Sequence, residues 1–203
     1  MDAITYDLDQ AVQIVDTESE VVLYPAFLDA TTAGDLAASL TDHLGWQRLT
    51  GIMFGRQFAV PRDTCWVGPV AYKYGSIRHD PAEWPATLLP LRLALEAALA
   101  VPSFATVLAN RYRDGRDKVD WHADDEQIFG PAPVIASVSL GATRKFKLRH
   151  NVTREVHEMH LTAGSLLVMR GATQLEFQHC IPAQKAVANE RINLTFRTLS
   201  SRA

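Results

Sequence analysis

RINLTFR, residues Arg191–Arg197, is the stretch that decides the fold. Read as a strand, it places Ile192, Leu194 and Phe196 on one face and Arg191, Asn193, Thr195 and Arg197 on the other. Three large apolar side chains on one face mark a strand with one side in a core. Two arginines, an amide and a hydroxyl are unusual on the opposite side. Arginine keeps its charge when buried and binds carboxylates through two parallel hydrogen bonds. The polar row is therefore either a solvated sheet face or a cradle for a dicarboxylate.

Similar β-prone runs lie upstream: FATVLANRY, VIASVSLG, RKFKLRH, VHEMHLTAG and SLLVMRG. They follow one another at intervals of about ten residues, with Gly115, Gly130, Gly141, Gly164 and Gly171 as turn signals. That rhythm predicts an antiparallel sandwich or barrel. The first half reads differently. EVVLYPAFL (Glu20–Leu28) is a short strand and its exit. Leu36, Leu40 and Leu44 predict a helix over Thr31–Leu44, capped by Thr31 or Thr32. Leu91, Leu95 and Leu99 predict a second helix from about Pro85 to Ala100, with Pro90 marking either a kink or its first turn. Trp46–Trp84 is aromatic-rich and reads as irregular. The expected class is α+β: a jelly-roll-like double sheet buttressed by N-terminal helices.

Composition bounds the function. The 203 residues, 47% hydrophobic and 21% charged, suit one domain, taken as residues 1–203. A net charge of −3 means that any nucleic-acid surface must be a local basic patch. Cys65 and Cys180 form no C-x-x-C, which excludes a zinc knuckle, and Cys180 is read as core. The acidic N-terminus carries no signal or transit pattern, and no apolar run approaches about 18 residues. A cytoplasmic protein without a membrane partner is expected.

WHADDE (Trp121–Glu126) carries the chemistry. On a strand, His122 and Asp124 share a face while the small Ala123 points away. Two imidazoles and one carboxylate on one face leave coordination positions open, as in non-haem Fe(II) oxygenases. His150 ends a basic strand, and His157 and His160 sit on a polar one that looks exposed. His179, in EFQHCIP, lies on a short apolar strand and is the preferred third ligand. NRY (Asn110–Tyr112) places Asn110 and Tyr112 together on one face, either as site residues or as an ordinary polar strand end.

In this order, NRY, H-x-D, H and R-x-N-L-T-F-R resemble the AlkB family of Fe(II)/2-oxoglutarate dioxygenases, over about Phe54 to Arg197. PRDTCWVGPVAYKYG (Pro61–Gly75) and IASVSLGATRKFKLRH (Ile135–His150) resemble most the branch that repairs duplex DNA. The resemblance implies a double-stranded β-helix core over about residues 103–199 and a nucleotide-recognition lid over about 46–84. It implies Fe(II) on His122, Asp124 and His179, with O2 as the other co-substrate. It implies 2-oxoglutarate held by Asn110, Tyr112, Arg191, Asn193, Thr195 and Arg197, with Arg197 at one end and Arg191 and Asn193 nearer the other. The implied reaction is oxidative dealkylation of 1-methyladenine, 3-methylcytosine and etheno adducts in DNA, releasing aldehyde, CO2 and succinate. RNA, a protein or a small molecule is the alternative substrate. A monomer is expected.

A duplex base must be flipped out to reach such a site. Trp66, Tyr72 and Tyr74 are the candidates to stack on it, and Met53–Phe54 resembles a hydrophobic finger with Phe54 as wedge. Arg62 is placed near the rim. Strand alternation gives Lys145, Lys147 and Arg149 one face, either as a phosphate-contacting ribbon or as a solvated strand. Relatives often carry tyrosine where this chain has Trp66, which leaves the lesion preference open. An ideal strand would send Glu126 toward the cavity and Asp125 away, though either could accept from a base's exocyclic amine. Asp120 is expected in a solvated loop.

Overall fold

A computed structural model describes residues 4–53, 55–74 and 76–200, and leaves the side chains of Met53 and Tyr74 undescribed. In chain order the elements are β1 (Val12–Asp16), β2 (Ser19–Tyr24), α1 (Ala30–His43), β3 (Thr50–Met53), β4 (Arg56–Ala59), β5 (Asp63–Val67), β6 (Tyr72–Tyr74), β7 (Ile77–His79) and α2 (Leu89–Leu99). There follow β8 (Thr106–Tyr112), β9 (Val119–His122), a 3-10 turn (Gln127–Phe129), β10 (Ile135–Gly141), β11 (Arg144–His150) and β12 (Val156–Leu161). The chain closes with β13 (Leu166–Gly171), the single turn α3 (Thr173–Glu176), β14 (Phe177–Ile181) and β15 (Arg191–Arg197).

The strands build a large sheet in the order β1-β2-β13-β10-β15-β8-β5 and a smaller one in the order β12-β11-β14-β9. From β8 onward the chain alternates between them: β8 large, β9 small, β10 large, β11 and β12 small, β13 large, β14 small, β15 large. Neighbouring strands are antiparallel throughout. This is an antiparallel double sheet, as the strand rhythm predicts, and the double-stranded β-helix that the family resemblance implies.

Alternation within each large-sheet strand sorts its side chains into two cores. Ile192, Leu194 and Phe196 of β15 pack with Ala136, Val138 and Leu140 of β10 against Leu36 and Leu40 of α1 and Leu91 and Leu95 of α2. The helices therefore cover the outer face. Ile135, Leu167, Met169, Phe146, Leu148 and Phe177 fill the space between the sheets. The polar row of β15 points into that interior, with Arg191 and Arg197 only 1% and 3% exposed. The solvated reading of that row is thereby excluded.

Three expectations change. Asp29, not Thr31 or Thr32, caps α1: its Oδ1 accepts the Thr32 amide at 2.8 Å. The second helix starts at Leu89, four residues later than expected, with Pro90 in its first turn, where a missing N–H costs nothing. Trp46–Trp84 is not irregular but carries the β3–β4 and β6–β7 hairpins, and β5 forms an edge of the large sheet. β4 is exposed along its whole length, so it offers no burial alternation to read. Among the described residues, no helix is long and apolar enough to cross a membrane.

Candidate active site

β9 and β14 are hydrogen-bonded neighbours, and their register sets His122 directly across from His179. Asp124 follows on the extended segment just past β9. Ligand atoms from the three side chains lie within 4.8 Å of one another, the spacing one ion needs. His122 Nδ1 donates to the Asp120 carbonyl at 2.8 Å, which fixes its tautomer and directs Nε2 toward Asp124 Oδ1, 4.0 Å away. Asp120 is thus on strand β9 rather than in a loop; its backbone orients the ligand while its carboxylate holds Lys118.

Electrostatics suit a cation. Burial, then the charge of its neighbour His122, pushes His179 down to about 3, so its imidazole is neutral. Burial likewise lowers His122. Burial opposes charge on Asp124, but Arg197, with His179 and His122, more than offsets it and holds the carboxyl below its usual range. Arg197 grips one oxygen only: Nε donates to Oδ2 at 3.0 Å, Nη2 forms an ion pair with the same oxygen at 2.9 Å, and Oδ1 faces the imidazoles. Neutral imidazoles and an ionised carboxylate are the states that bind divalent metal. The His179 Nδ1, buried without a hydrogen-bond partner among the described residues, belongs to the same unfilled polar set. Two nitrogens and one oxygen fit Fe(II).

Composition and motif spacing give no hint of Gln174. Its Oε1 accepts the Asp124 amide at 2.8 Å from the single turn α3, fifty residues away in sequence. Gln174→Ala should weaken Mn(II) affinity by roughly tenfold, the low end of outer-shell effects, in a titration of the apoprotein. Unchanged affinity would show that the amide contact does not position the ligand.

The β8–β15 register opposes Asn110 to Asn193 and Tyr112 to Arg191. The NRY and RINLTFR rows thus meet on adjacent strands. Asn193 donates to Ser137 Oγ at 2.7 Å, and Thr195 donates to Asn193 Oδ1 at 3.0 Å. Arg191 donates through Nη2 to Ser139 at 2.9 Å, while its Nε and Nη1 are buried with no partner among the described residues. Burial, with the nearby charge of Arg144, pulls Arg191 down to about 10, so the guanidinium stays charged at neutral pH. A buried cation without an anion is costly. A cavity-lining row with Arg191 open at one end and Arg197 beside the triad at the other fits the two ends of 2-oxoglutarate.

The substrate-side residues separate. Tyr72, His79 and Arg62 line the same cavity as the triad. Arg62 is tied to Asn110 Oδ1 at 2.6 Å. His79 was not anticipated; it sits opposite Tyr72 in the β6–β7 hairpin, with ring centroids 5.7 Å apart. Trp66 stands one layer back. It is 4% exposed, stacks behind Tyr72 at 4.6 Å and gives its N–H to the Val70 carbonyl. It therefore buttresses Tyr72 instead of facing a base, because β5 turns that side toward Leu108 and Phe129. Phe54 and the Tyr74 side chain lie outside the described residues.

Glu126, not Asp125, turns inward. The Tyr72 hydroxyl donates to Glu126 Oε1 at 2.9 Å, and Oε2 is buried with no partner among the described residues. Burial, then the charge of Asp124, raises the Glu126 carboxyl above its usual range. Asp125 is exposed. The basic ribbon is partly consumed: Lys145 and Lys147 both bind Glu158, at 2.7 and 3.1 Å. Arg149 lies over Trp121 at 4.1 Å and donates to Gln178. Of the two histidines expected on the surface, His160 is exposed and His157 is half-buried near Phe177.

Comparison with known proteins agrees with this geometry. Human alpha-ketoglutarate-dependent dioxygenase alkB homolog 3 is 37% identical over 191 residues, covering 89% of this chain and 66% of that protein. The DNA oxidative demethylase ALKBH2 of Arabidopsis thaliana is 35% identical over 208 residues, covering 88% and 66%. The chain thus spans just under two thirds of the length of these curated relatives. The structure of OsALKBH1 superposes with a TM-score of 0.62 at 19% identity, over 88% of this chain and 97% of that one, a likeness of fold. Residues 20–197, which include every metal and co-substrate residue described above, match the profile of the 2OG-Fe(II) oxygenase superfamily. The chain belongs to that superfamily, and the curated relatives named above, to which it is similar, are AlkB homologues.

Proposed function

We propose that this protein is an Fe(II)/2-oxoglutarate dioxygenase that removes N-alkyl groups from bases in DNA, with 1-methyladenine and 3-methylcytosine as substrates. Bound iron and 2-oxoglutarate would activate O2, the oxidant: one oxygen atom would enter succinate as CO2 is released and the other would hydroxylate the alkyl carbon. The hydroxylated group then leaves as an aldehyde and frees the base.

The chain's own residues place the reactants. His122, Asp124 and His179 hold the metal. Arg197 orients Asp124 and the near end of the co-substrate, while Arg191 and Tyr112 take its far carboxylate. Tyr72, backed by Trp66 and flanked by His79, offers a rigid aromatic wall for an extruded base. Of the three ribbon cations, Arg149 is the one assigned to phosphate, since Glu158 occupies both lysines.

The orphaned Glu126 Oε2 is the observation that carries the base assignment. A buried acceptor without a donor is costly, and an exocyclic amine would supply that donor. Adenine and cytosine carry such an amine at the relevant edge; thymine does not. The test is a panel of 1-methyladenine, 3-methylcytosine and ethenoadenine in single- and double-stranded DNA and RNA, with formaldehyde or base release as readout. Glu126→Gln should lower kcat/KM for 1-methyladenine by roughly tenfold, the scale of one charge-assisted hydrogen bond. Uncoupled 2-oxoglutarate decarboxylation should be unaffected. Turnover on the RNA arm alone, or on no member of the panel, would redirect the assignment to another substrate class.

A further inference from the structure

Arg144, the first residue of β11, is 1% exposed and, among the described residues, is not part of the cavity lining. Its guanidinium donates to the carbonyls of Asp114, Asp117 and Pro182 at 3.1, 2.8 and 2.8 Å and to Gln184 Oε1 at 3.3 Å. None of these acceptors is a carboxylate. The acids beside it are engaged elsewhere: Asp117 is held by Arg113, and Asp114 by Arg116. Among the described residues Arg144 therefore makes no ion pair: dipoles solvate its charge, and Asp117 and Asp114 favour it only from a distance.

The same guanidinium lies 5.6 Å from the Tyr112 ring centroid, and that of Arg191 lies 5.2 Å from it. One phenol ring thus carries two buried cations, of which Arg191 reaches the cavity and Arg144 does not. Like charges buried near one another disfavour each other until an anion arrives. Arg144 also joins two loops that meet at Gly115, whose amide bonds the Val187 carbonyl and whose carbonyl takes the Gln184 amide. A Cβ at Gly115 would run into the Gln184 carbonyl, so the loops close tightly there.

We propose that Arg144 is a positioning residue for the co-substrate's far carboxylate: acting through Tyr112 and alongside Arg191, its unpaired charge makes the site select a dicarboxylate 2-oxo acid over a monocarboxylate one. The proposal rests on the 2-oxoglutarate assignment and is independent of the nucleic-acid substrate. Removing one buried charge across a single side-chain layer should weaken dianion binding by roughly tenfold.

The test titrates 2-oxoglutarate and 2-oxovalerate, which has the same carbon chain without the far carboxylate, into the Mn(II)-loaded protein by calorimetry. Arg144→Met is expected to weaken 2-oxoglutarate roughly tenfold and to leave 2-oxovalerate within about twofold. Arg144→Lys, which keeps the charge but loses the fork, is expected to hold 2-oxoglutarate within about threefold of the wild type. Equal weakening of both ligands, unchanged 2-oxoglutarate affinity in Arg144→Met, or a lysine variant as weak as the methionine variant would each overturn the proposal. If Arg144→Met does not fold, the lysine variant decides alone: a tenfold loss there makes Arg144 a structural clamp and ends the electrostatic role. Wild-type protein that fails to bind 2-oxoglutarate would refute the co-substrate assignment itself, and the proposal with it.

Discussion

Replacing His122 with alanine is expected to lower 2-oxoglutarate-dependent formaldehyde release by more than about a hundredfold, beyond the roughly 10–100-fold typical of outer-shell changes at metal sites. The site has three protein ligands, and loss of one imidazole leaves a single nitrogen and one carboxylate oxygen. The fold should persist. The His122 side chain is 19% exposed, and Asp124 keeps its hydrogen bond and ion pair with Arg197 after the change. Circular dichroism and melting temperature close to wild type, with Mn(II) affinity reduced in step with turnover, would show that the loss is of metal. Formaldehyde release persisting at wild-type rates would sink the triad assignment.

Arg191→Met should separate binding from stability. Truncating one partner of a buried charge pair costs about 2–5 kcal/mol of binding, so the KM for 2-oxoglutarate should rise at least about thirtyfold. In the free protein the argument reverses. Arg191 is buried, and among the described residues two of its nitrogens have no partner and no carboxylate pairs with it. An apolar side chain of similar length relieves that desolvation, so the melting temperature without 2-oxoglutarate should not fall. Wild-type protein should be stabilised by added 2-oxoglutarate and the variant should not. A variant that melts well below wild type while binding 2-oxoglutarate normally would mean that Arg191 serves the sheet and not the co-substrate.

Both predictions rest on residues visible in the one-dimensional pattern, and it is instructive which others were not. The alternation of RINLTFR assigns every side chain of β15 to the correct face, because a strand has a period of two and admits no other phase once its apolar set is buried. His122 and Asp124 share a face for the same local reason. The lid is different. β4 and β7 are short, and β4 is wholly exposed, so neither periodicity nor composition marks them. His79 and Gln174 reach the site through hairpin pairing and a single helical turn, which no spacing rule connects to the triad. Trp66 was legible as an aromatic but not as a buried one, since only the packing of β5 on β8 shows that Tyr72 stands in front of it.

By itself, then, the sequence determined the strand-rich core, the face carried by each residue of β15 and the candidate metal and co-substrate residues. All of these are local, period-two consequences of the order of residues, or matches to a family pattern. The tertiary structure alone decided which charges are satisfied. It showed that Lys145 and Lys147 share Glu158, that Glu126 rather than Asp125 faces Tyr72, and that Arg144 and Arg191 press two unpaired cations against Tyr112. The physical reason is that the energy of a charge depends on its burial and its partners. Some of those partners face each other across one hairpin, as Lys145 and Lys147 do with Glu158, and others lie far apart in the chain, as Tyr72 and Glu126 do, and only the folded arrangement settles which pairs form.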